Sequence, residues 1–265
     1  MRALLTARIR GSDSEWGLDD DCIVDTRRRV EQIQTWTNLS EFKEWASQVY
    51  RRDHWATQRV QVECWLEKFT AAFLVEEVAE RWCIPLRVST GSFSRSFLVR
   101  AADDINARLS KRTLIRYVGD FDSKGLDIER AAREGNGKSG ARRREGLFDI
   151  LKSRHGWTAN KLARNISWER IVLTEQDFDE IPAQYKIDVK DMPRRDSDSD
   201  EPADKTVTGY IAKYGASCAE IEALDVWKPG EVARRLEQEI RDSLDWRQWS
   251  KSLALEENEL KQLTS

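Results

Sequence analysis

"RYVGDFDSKGLDI", residues Arg116 to Ile128, is the stretch that decides both the fold and the candidate site. Its apolar, strand-like run stops at Gly119, and two carboxylates one residue apart, Asp120 and Asp122, follow at once. After Gly125 the apolar and polar residues resume a pattern that predicts a helix. Charged residues are almost never found in a buried core without a partner. The pair therefore indicates a site at the tip of the strand.

Strands and helices are predicted to alternate on both sides of this stretch. In "RVQVECWLEK", residues 59–68, Val60, Val62, Cys64 and Leu66 alternate with Gln61, Glu63, Trp65 and Glu67, which is a strand pattern. Further strands are predicted at 84–90, 113–120 and 168–174, and helices at 69–82, 92–110 and from about residue 125. This order predicts the α/β class, with a mostly parallel four-stranded sheet flanked by helices and joined by right-handed crossovers.

Three carboxylates fall at the predicted carboxyl ends of these strands. Glu67 ends one strand, and Asp120 and Asp122 follow another. In open parallel sheets ligands bind beyond the carboxyl ends of the strands, so we expect the three acids to meet at one edge. Carboxylate oxygens are preferred ligands of Mg²⁺. A second interpretation stays open, in which Asp120 and Asp122 form only an Asx turn or a helix cap.

The rest of the chain is divided by composition into further regions. Residues 1–58 are predicted to be a helical extension, 59–190 the α/β domain, 191–206 an acidic linker, and 207–265 a helical region. Within the α/β domain, residues 134–165 are interpreted as a long connection that begins rich in glycine. The last region carries an apolar stripe at helical spacing, formed by Val232, Leu236, Ile240, Leu244 and Trp246.

The net charge of −3 gives no global argument for binding nucleic acid. Residues 124–170, however, contain 12 Lys and Arg against 6 Asp and Glu. Phosphate contacts by lysine and arginine supply affinity that does not depend on sequence, although a solvated charged loop is the alternative. The candidate nucleic-acid contacts are Lys124, Lys138, Arg142, Arg143 and Arg144.

The N-terminus lacks the apolar core of a signal peptide, and the apolar runs are too short for a membrane span. We therefore expect a cytoplasmic protein without a membrane partner. The four scattered cysteines, Cys22, Cys64, Cys83 and Cys218, are expected to be reduced thiols.

Two motifs together resemble the Toprim domain, in the form found in the A subunit of topoisomerase VI and in the meiotic double-strand-break transesterase. They are "WLEK", which ends at Lys68, and "YVGDFDSKGLDI", while "VSTGSFSRSF" is similar to the second-strand turn of that family. The resemblance implies that Asp120 and Asp122 hold Mg²⁺ (or Mn²⁺). It also implies that Glu67 acts as a metal ligand or general acid/base beside Lys68. Glu220 and Glu222 are either an outer ligand pair or part of a helix face.

The chain departs from that family in its N-terminal part. The family carries a winged-helix domain with a nucleophilic tyrosine, whereas only about 58 residues precede the first strand here, and no tyrosine falls at that place. The resemblance therefore implies hydrolytic cleavage of DNA, by a nuclease or nicking activity. The alternative is a non-catalytic DNA-binding or assembly subunit of a phage, mobile-element or topoisomerase VI-like complex. The expected partners are DNA, a protein that supplies the missing domain, and a second copy of the chain.

Overall fold

The computed structural model describes residues 33–108, 111–137, 144–189 and 205–264. Of the described residues, 33–50 and 262–264 belong to one compact unit, and those between 51 and 261 belong to a second. In the first unit, helix α1 (Leu39–Val49) begins at Asn38, whose side chain accepts a hydrogen bond from the Glu41 amide. The predicted borders at residues 58, 190 and 206 stay predictions, and most of the acidic linker lies outside the described residues.

The second unit contains the predicted sheet. Its four strands are β1 (Val60–Leu66), β2 (Leu86–Val88), β3 (Arg112–Val118) and β4 (Ile166–Val172). They are all parallel, in the order β2-β1-β3-β4, so the α/β class and the four-stranded sheet are confirmed. The register pairs Leu66 with Val118, and this places the ends of β1 and β3 side by side.

Helices connect and cover the strands, with bounds that differ from the predicted ones in two places. The segment 69–82 is not one helix, because a 3-10 helix (Phe69–Leu74) precedes the short α2 (Glu76–Arg81). The segment predicted as a long connection contains α5 and α6. The helices of this half are α3 (Arg95–Ala107), α4 (Ser123–Glu134), α5 (Leu147–His155), α6 (Ala159–Asn165) and α7 (Glu175–Glu180).

The C-terminal part adds a short antiparallel pair and four helices to the same unit. The pair is β5 (Ile187–Asp188) with β6 (Ser217–Cys218). The helices are α8 (Lys205–Tyr214), α9 (Ile221–Trp227), α10 (Glu231–Ser243) and α11 (Trp246–Thr264). The predicted apolar stripe is buried from Val232 to Leu244, but Trp246 is 46% exposed, so its assignment to the stripe was wrong.

An apolar cluster covers each face of the sheet. One cluster includes Val62 and Leu66 and the stripe of α10, and the other includes Trp65 and Ile115. Both faces of the sheet are therefore covered, and Glu63 of β1 is fully buried. Its carboxylate is compensated by ion pairs with two arginines, Arg87 and Arg108.

The three described cysteines, Cys64, Cys83 and Cys218, are free thiols. Within the described ranges, no helix combines the length and the apolar character needed to cross a membrane.

Candidate functional site

Glu67 and Asp120 meet where β1 and β3 end. Glu67 directly follows β1, and its amide donates to the Val118 carbonyl at 3.1 Å, which extends the ladder by one residue. Its side-chain Oε2 in turn accepts a hydrogen bond from the Asp120 amide at 3.1 Å. The parallel register therefore brings together two acids that lie 53 residues apart in the sequence.

Asp122 begins the next helix. It is the N-cap of α4, and its Oδ1 accepts from the Gly125 amide at 2.5 Å. The cap interpretation is thus right for this one residue. Its second oxygen, Oδ2, accepts no hydrogen bond from any residue that the structure describes.

Asp120 is held by a distant segment and by Lys68. Its Oδ1 accepts from the Ile221 amide at 2.9 Å, and its Oδ2 lies 3.1 Å from the Lys68 ammonium. Lys68 also lies 2.7 Å from Glu222 and 4.0 Å from Glu220. The two glutamates that the sequence left between an outer ligand and a helix face therefore contact the site through Lys68.

Two glycines make room for the Glu67 carboxylate. A Cβ on Gly119 would lie 2.8 Å from Glu67 Oε2 and 2.5 Å from the Tyr117 ring. A Cβ on Gly125 would lie 3.0 Å from the same oxygen and 2.5 Å from the Asp120 carbonyl oxygen. Contacts below 3.0 Å are closer than van der Waals packing permits. A Cβ at Gly119 would therefore clash with Tyr117 and Glu67, and a Cβ at Gly125 with the Asp120 carbonyl oxygen, so both positions require glycine.

The three acids are nearly inaccessible, and burial changes the titration of two of them, Glu67 and Asp120. Glu67, Asp120 and Asp122 are 6%, 8% and 6% exposed. Burial, followed by repulsion from Asp120 and Asp122, raises the pKa of Glu67 from 4.5 to about 8. Burial likewise raises the pKa of Asp120, against the opposing effect of Lys68. A carboxyl with a pKa near neutrality can both hold and release a proton at the working pH.

Burial acts to lower the pKa of Lys68, but its hydrogen bonds and charge interactions with Glu222 and Asp120 outweigh burial and raise it. The ammonium is therefore charged. It partly neutralises a group of acids whose repulsion would otherwise be larger.

Arg170 contributes to the site, although it was not among the site residues predicted from the sequence. This β4 residue donates from Nη1 to the Gly119 and Asp120 carbonyls at 2.7 and 3.2 Å. Its Nε donates to Glu129 of α4 at 2.8 Å. A charged residue inside the apolar run "WERIVLT" was the signal that could have identified it.

The segment from Ser217 to Ile221 holds the turn between the two aspartates. Phe121 and Ala219 exchange backbone hydrogen bonds of 2.8 and 3.1 Å. The Tyr210 hydroxyl donates to the carbonyls of Phe121 at 3.0 Å and of Ser217 at 2.9 Å. No local sequence pattern could have identified the contacts of Phe121 with Tyr210 and Ala219, because they join residues about ninety to a hundred positions apart.

The predicted basic contacts are placed only in part. Lys124 is exposed in the first turn of α4, two residues after Asp122. Arg144 is exposed, and its amide donates to the Asn136 side chain at 2.9 Å. Lys138, Arg142 and Arg143 lie outside the described residues, so their proximity to the acids stays a prediction.

The donor chemistry of the site fits a hard divalent cation. Glu67, Asp120 and Asp122 supply buried carboxylate oxygens, the donor type that hard cations prefer. In the described arrangement, however, no three His, Cys, Asp or Glu side chains are grouped closely enough to hold a metal ion. The Lys68 ammonium is the cation that contacts Asp120.

Comparisons with family models, with curated proteins and with solved structures found no match to this chain.

Proposed function

We propose that the chain cleaves the phosphodiester bonds of DNA in a Mg²⁺-dependent reaction, as a nuclease or nicking enzyme of the Toprim class. The observation that carries this proposal is the meeting of Glu67 and Asp120 at the ends of adjacent parallel strands, where the Glu67 carboxylate accepts the Asp120 amide at 3.1 Å. Asp122 is the N-cap residue that immediately precedes α4. The resemblance of both motifs to the Toprim domain supports the assignment of this edge to phosphodiester chemistry.

The residues are assigned roles by their contacts. Asp120 and Asp122 would hold Mg²⁺ or Mn²⁺, with Glu67 as a further ligand or as the general acid/base. When bound, the ion supplies charge stabilisation for the attacking and leaving oxygens of a phosphodiester. Burial and the neighbouring acids raise the pKa of Glu67 to about 8, which suits proton transfer near neutral pH. Lys124, exposed beside the edge, is assigned to phosphate contact.

Cleavage of supercoiled plasmid and of single-stranded DNA, with Mg²⁺ or Mn²⁺, tests this proposal. Glu67→Gln and Asp120→Asn are expected to reduce the rate at least about a hundredfold, since general acid–base groups contribute factors of this size or more. Asp127→Asn is the matched control, because Asp127 lies on α4 with a side chain that is 41% exposed and pairs with Arg130.

The control variant should cleave at the wild-type rate. If the wild-type protein leaves both DNA substrates intact at high concentration with either metal ion, the proposed activity is wrong.

A second candidate function is a non-catalytic DNA-binding or assembly subunit of a phage, mobile-element or topoisomerase VI-like complex. The observation that favours it is Lys68, whose ammonium lies 3.1 Å from Asp120, where a metal ion would need to bind. This candidate predicts salt-dependent DNA binding without cleavage. Such binding should be lost in the triple variant Arg142→Ala/Arg143→Ala/Arg144→Ala. If the triple variant binds and cleaves DNA as the wild-type protein does, this second candidate function is wrong.

A further inference from the structure

Arg170 is a buried cation placed behind the turn that carries the two aspartates. Its side chain is only 10% exposed. Nη1 donates to the carbonyl oxygens of Gly119 at 2.7 Å and Asp120 at 3.2 Å, and reaches the Leu173 carbonyl at 3.5 Å. A single guanidinium nitrogen therefore contacts the two consecutive carbonyls at which β3 becomes the turn.

The guanidinium is itself fixed from two other elements. Glu129 of α4 accepts from Nε at 2.8 Å, and the same carboxylate accepts from the Trp168 indole at 3.0 Å. The guanidinium carbon lies 5.2 Å from the centre of the Tyr117 ring, which is the range of a cation–π contact. Because Tyr117 is on β3 and Glu129 is on α4, Arg170 connects the two elements that flank the aspartates.

Stability alone is a weak explanation for this arginine. Its Nη2 is buried and has no hydrogen-bond partner among the described residues, and an unsatisfied buried donor is unfavourable. Buried ion pairs are often no more stabilising than apolar side chains of similar volume. The contacts of Arg170 converge instead on the backbone between Gly119 and Asp120, whose position determines where the Asp120 carboxylate and amide lie.

We propose that Arg170 is a positioning residue, which fixes the Gly119–Asp120 backbone so that Asp120 and Glu67 are held together before any cation binds. This inference rests on the proposed function for its purpose, and on the carbonyl contacts for its geometry. Residues that orient metal ligands from outside the ligand set change metal affinity by about ten- to a hundredfold when they are replaced.

The test compares Arg170→Met and Arg170→Lys with Arg116→Met. Arg116 is the matched control, because it is a buried arginine on the adjacent strand β3, ion-paired to Glu169 at 3.2 Å and Glu239 at 2.7 Å. The first measurement is hydrogen exchange at the Asp120 and Phe121 amides in metal-free protein. Both amides donate hydrogen bonds within the site, to Glu67 and to Ala219.

Arg170→Met is expected to speed exchange at these two amides at least about tenfold, while the rest of the sheet exchanges as in the wild type. Arg170→Lys should restore part of the protection, and Arg116→Met should leave it unchanged. Equal protection in Arg170→Met and Arg116→Met would overturn the inference, as would acceleration spread evenly over the sheet. If Arg170→Met does not fold, the exchange rates of the same two amides are compared between Arg170→Lys and the wild type.

The second measurement is Mg²⁺ affinity by titration calorimetry. Arg170→Met is expected to bind Mg²⁺ ten- to a hundredfold more weakly than wild type, with partial recovery in Arg170→Lys. Unchanged affinity would also overturn the inference. If the wild-type protein binds no Mg²⁺, the proposed function fails, and the exchange result alone decides the role of Arg170.

Discussion

The titration of Glu67 gives the sharpest prediction, and the perturbation is Glu67→Gln in metal-free protein. The pKa of Glu67 is raised from 4.5 to about 8, first by burial and then by repulsion from Asp120 and Asp122. The folded state therefore binds a proton that the unfolded state has released. Stability falls wherever the folded state binds more protons, so the wild-type protein should lose stability as the pH rises through this interval.

The magnitude follows from the size of the shift. Each unit of pKa difference corresponds to about 1.36 kcal/mol. Integration between pH 5 and pH 8, with the folded pKa near 8, gives a loss of about 3 kcal/mol that the glutamine variant should not show. Glutamine keeps the oxygen that accepts the Asp120 amide but cannot ionise. The variant should therefore gain stability relative to the wild type as the pH rises.

Urea unfolding in EDTA, followed by tryptophan fluorescence, measures this difference at several values of pH. The free energy of unfolding of a domain this size falls by about 3 kcal/mol per molar urea. The urea midpoint of Glu67→Gln, measured relative to that of the wild type, should therefore rise by about 1 M between pH 5 and pH 8. Glu77→Gln is the control, because that side chain is 83% exposed, and it should follow the wild type. If the curves of Glu67→Gln and wild type stay parallel from pH 5 to pH 8, Glu67 is not a buried, proton-holding carboxyl.

Three further predictions concern the surroundings of the site. Gly125→Ala should destabilise the protein by about 2 kcal/mol, because the added Cβ would clash with the Asp120 carbonyl oxygen. Gly209→Ala on α8, where the added Cβ meets open space, should stabilise the protein by up to about 1 kcal/mol. Thermal unfolding distinguishes the two opposite effects. Glu63→Gln should cost about 3 kcal/mol at neutral pH, because two half-buried arginines lose the carboxylate with which they pair. Burial opposes ionisation of Glu63, but the two arginines outweigh burial and lower the pKa of Glu63 below 4.5. The difference in stability between Glu63→Gln and the wild type should therefore shrink as the pH falls through the pKa that Glu63 has in the folded protein. Lys68→Met should raise Mg²⁺ affinity about tenfold, because an ammonium no longer competes for the acids, and weaker binding in calorimetry would contradict this competition.

The parts of the fold that local pattern determines were predicted from the sequence. The four strands fall within the predicted segments or within two residues of them, since alternation and glycine boundaries are local features. The parallel direction of the strands was predicted from the helices between them. The same reasoning predicted that Glu67 and Asp120 lie at one edge of the sheet. The glycine spacing around the aspartates carried real information, because a Cβ at either position would lie 3.0 Å or less from the Glu67 carboxylate.

What the sequence did not predict depends on partners rather than on pattern. The burial of Glu63 could not be predicted, because alternation describes polarity and cannot show that arginines 24 and 45 residues away compensate its charge. The helices α5 and α6 lie in a segment whose basic residues and glycines suggested a connection, although Leu147 and Leu151 are fully buried there. The contact of Asp120 with Ile221 joins residues 101 apart and leaves no periodic signal.

A strand that ends in two carboxylates is a cost to the fold unless each acid has a reason to be there. Capping of α4 explains only Asp122, because a single oxygen of that side chain accepts the hydrogen bond from the Gly125 amide. It explains neither Asp120 nor the burial of Glu67 against it, and burying like charges together is unfavourable without a cation. The chain reduces that cost with the Lys68 ammonium on one side and Arg170 on the other, without replacing the acids by apolar residues. Departures from the best local choice of this kind are concentrated at functional sites. The proposed function would account for these acids, because a cation bound at this edge would offset the repulsion between them.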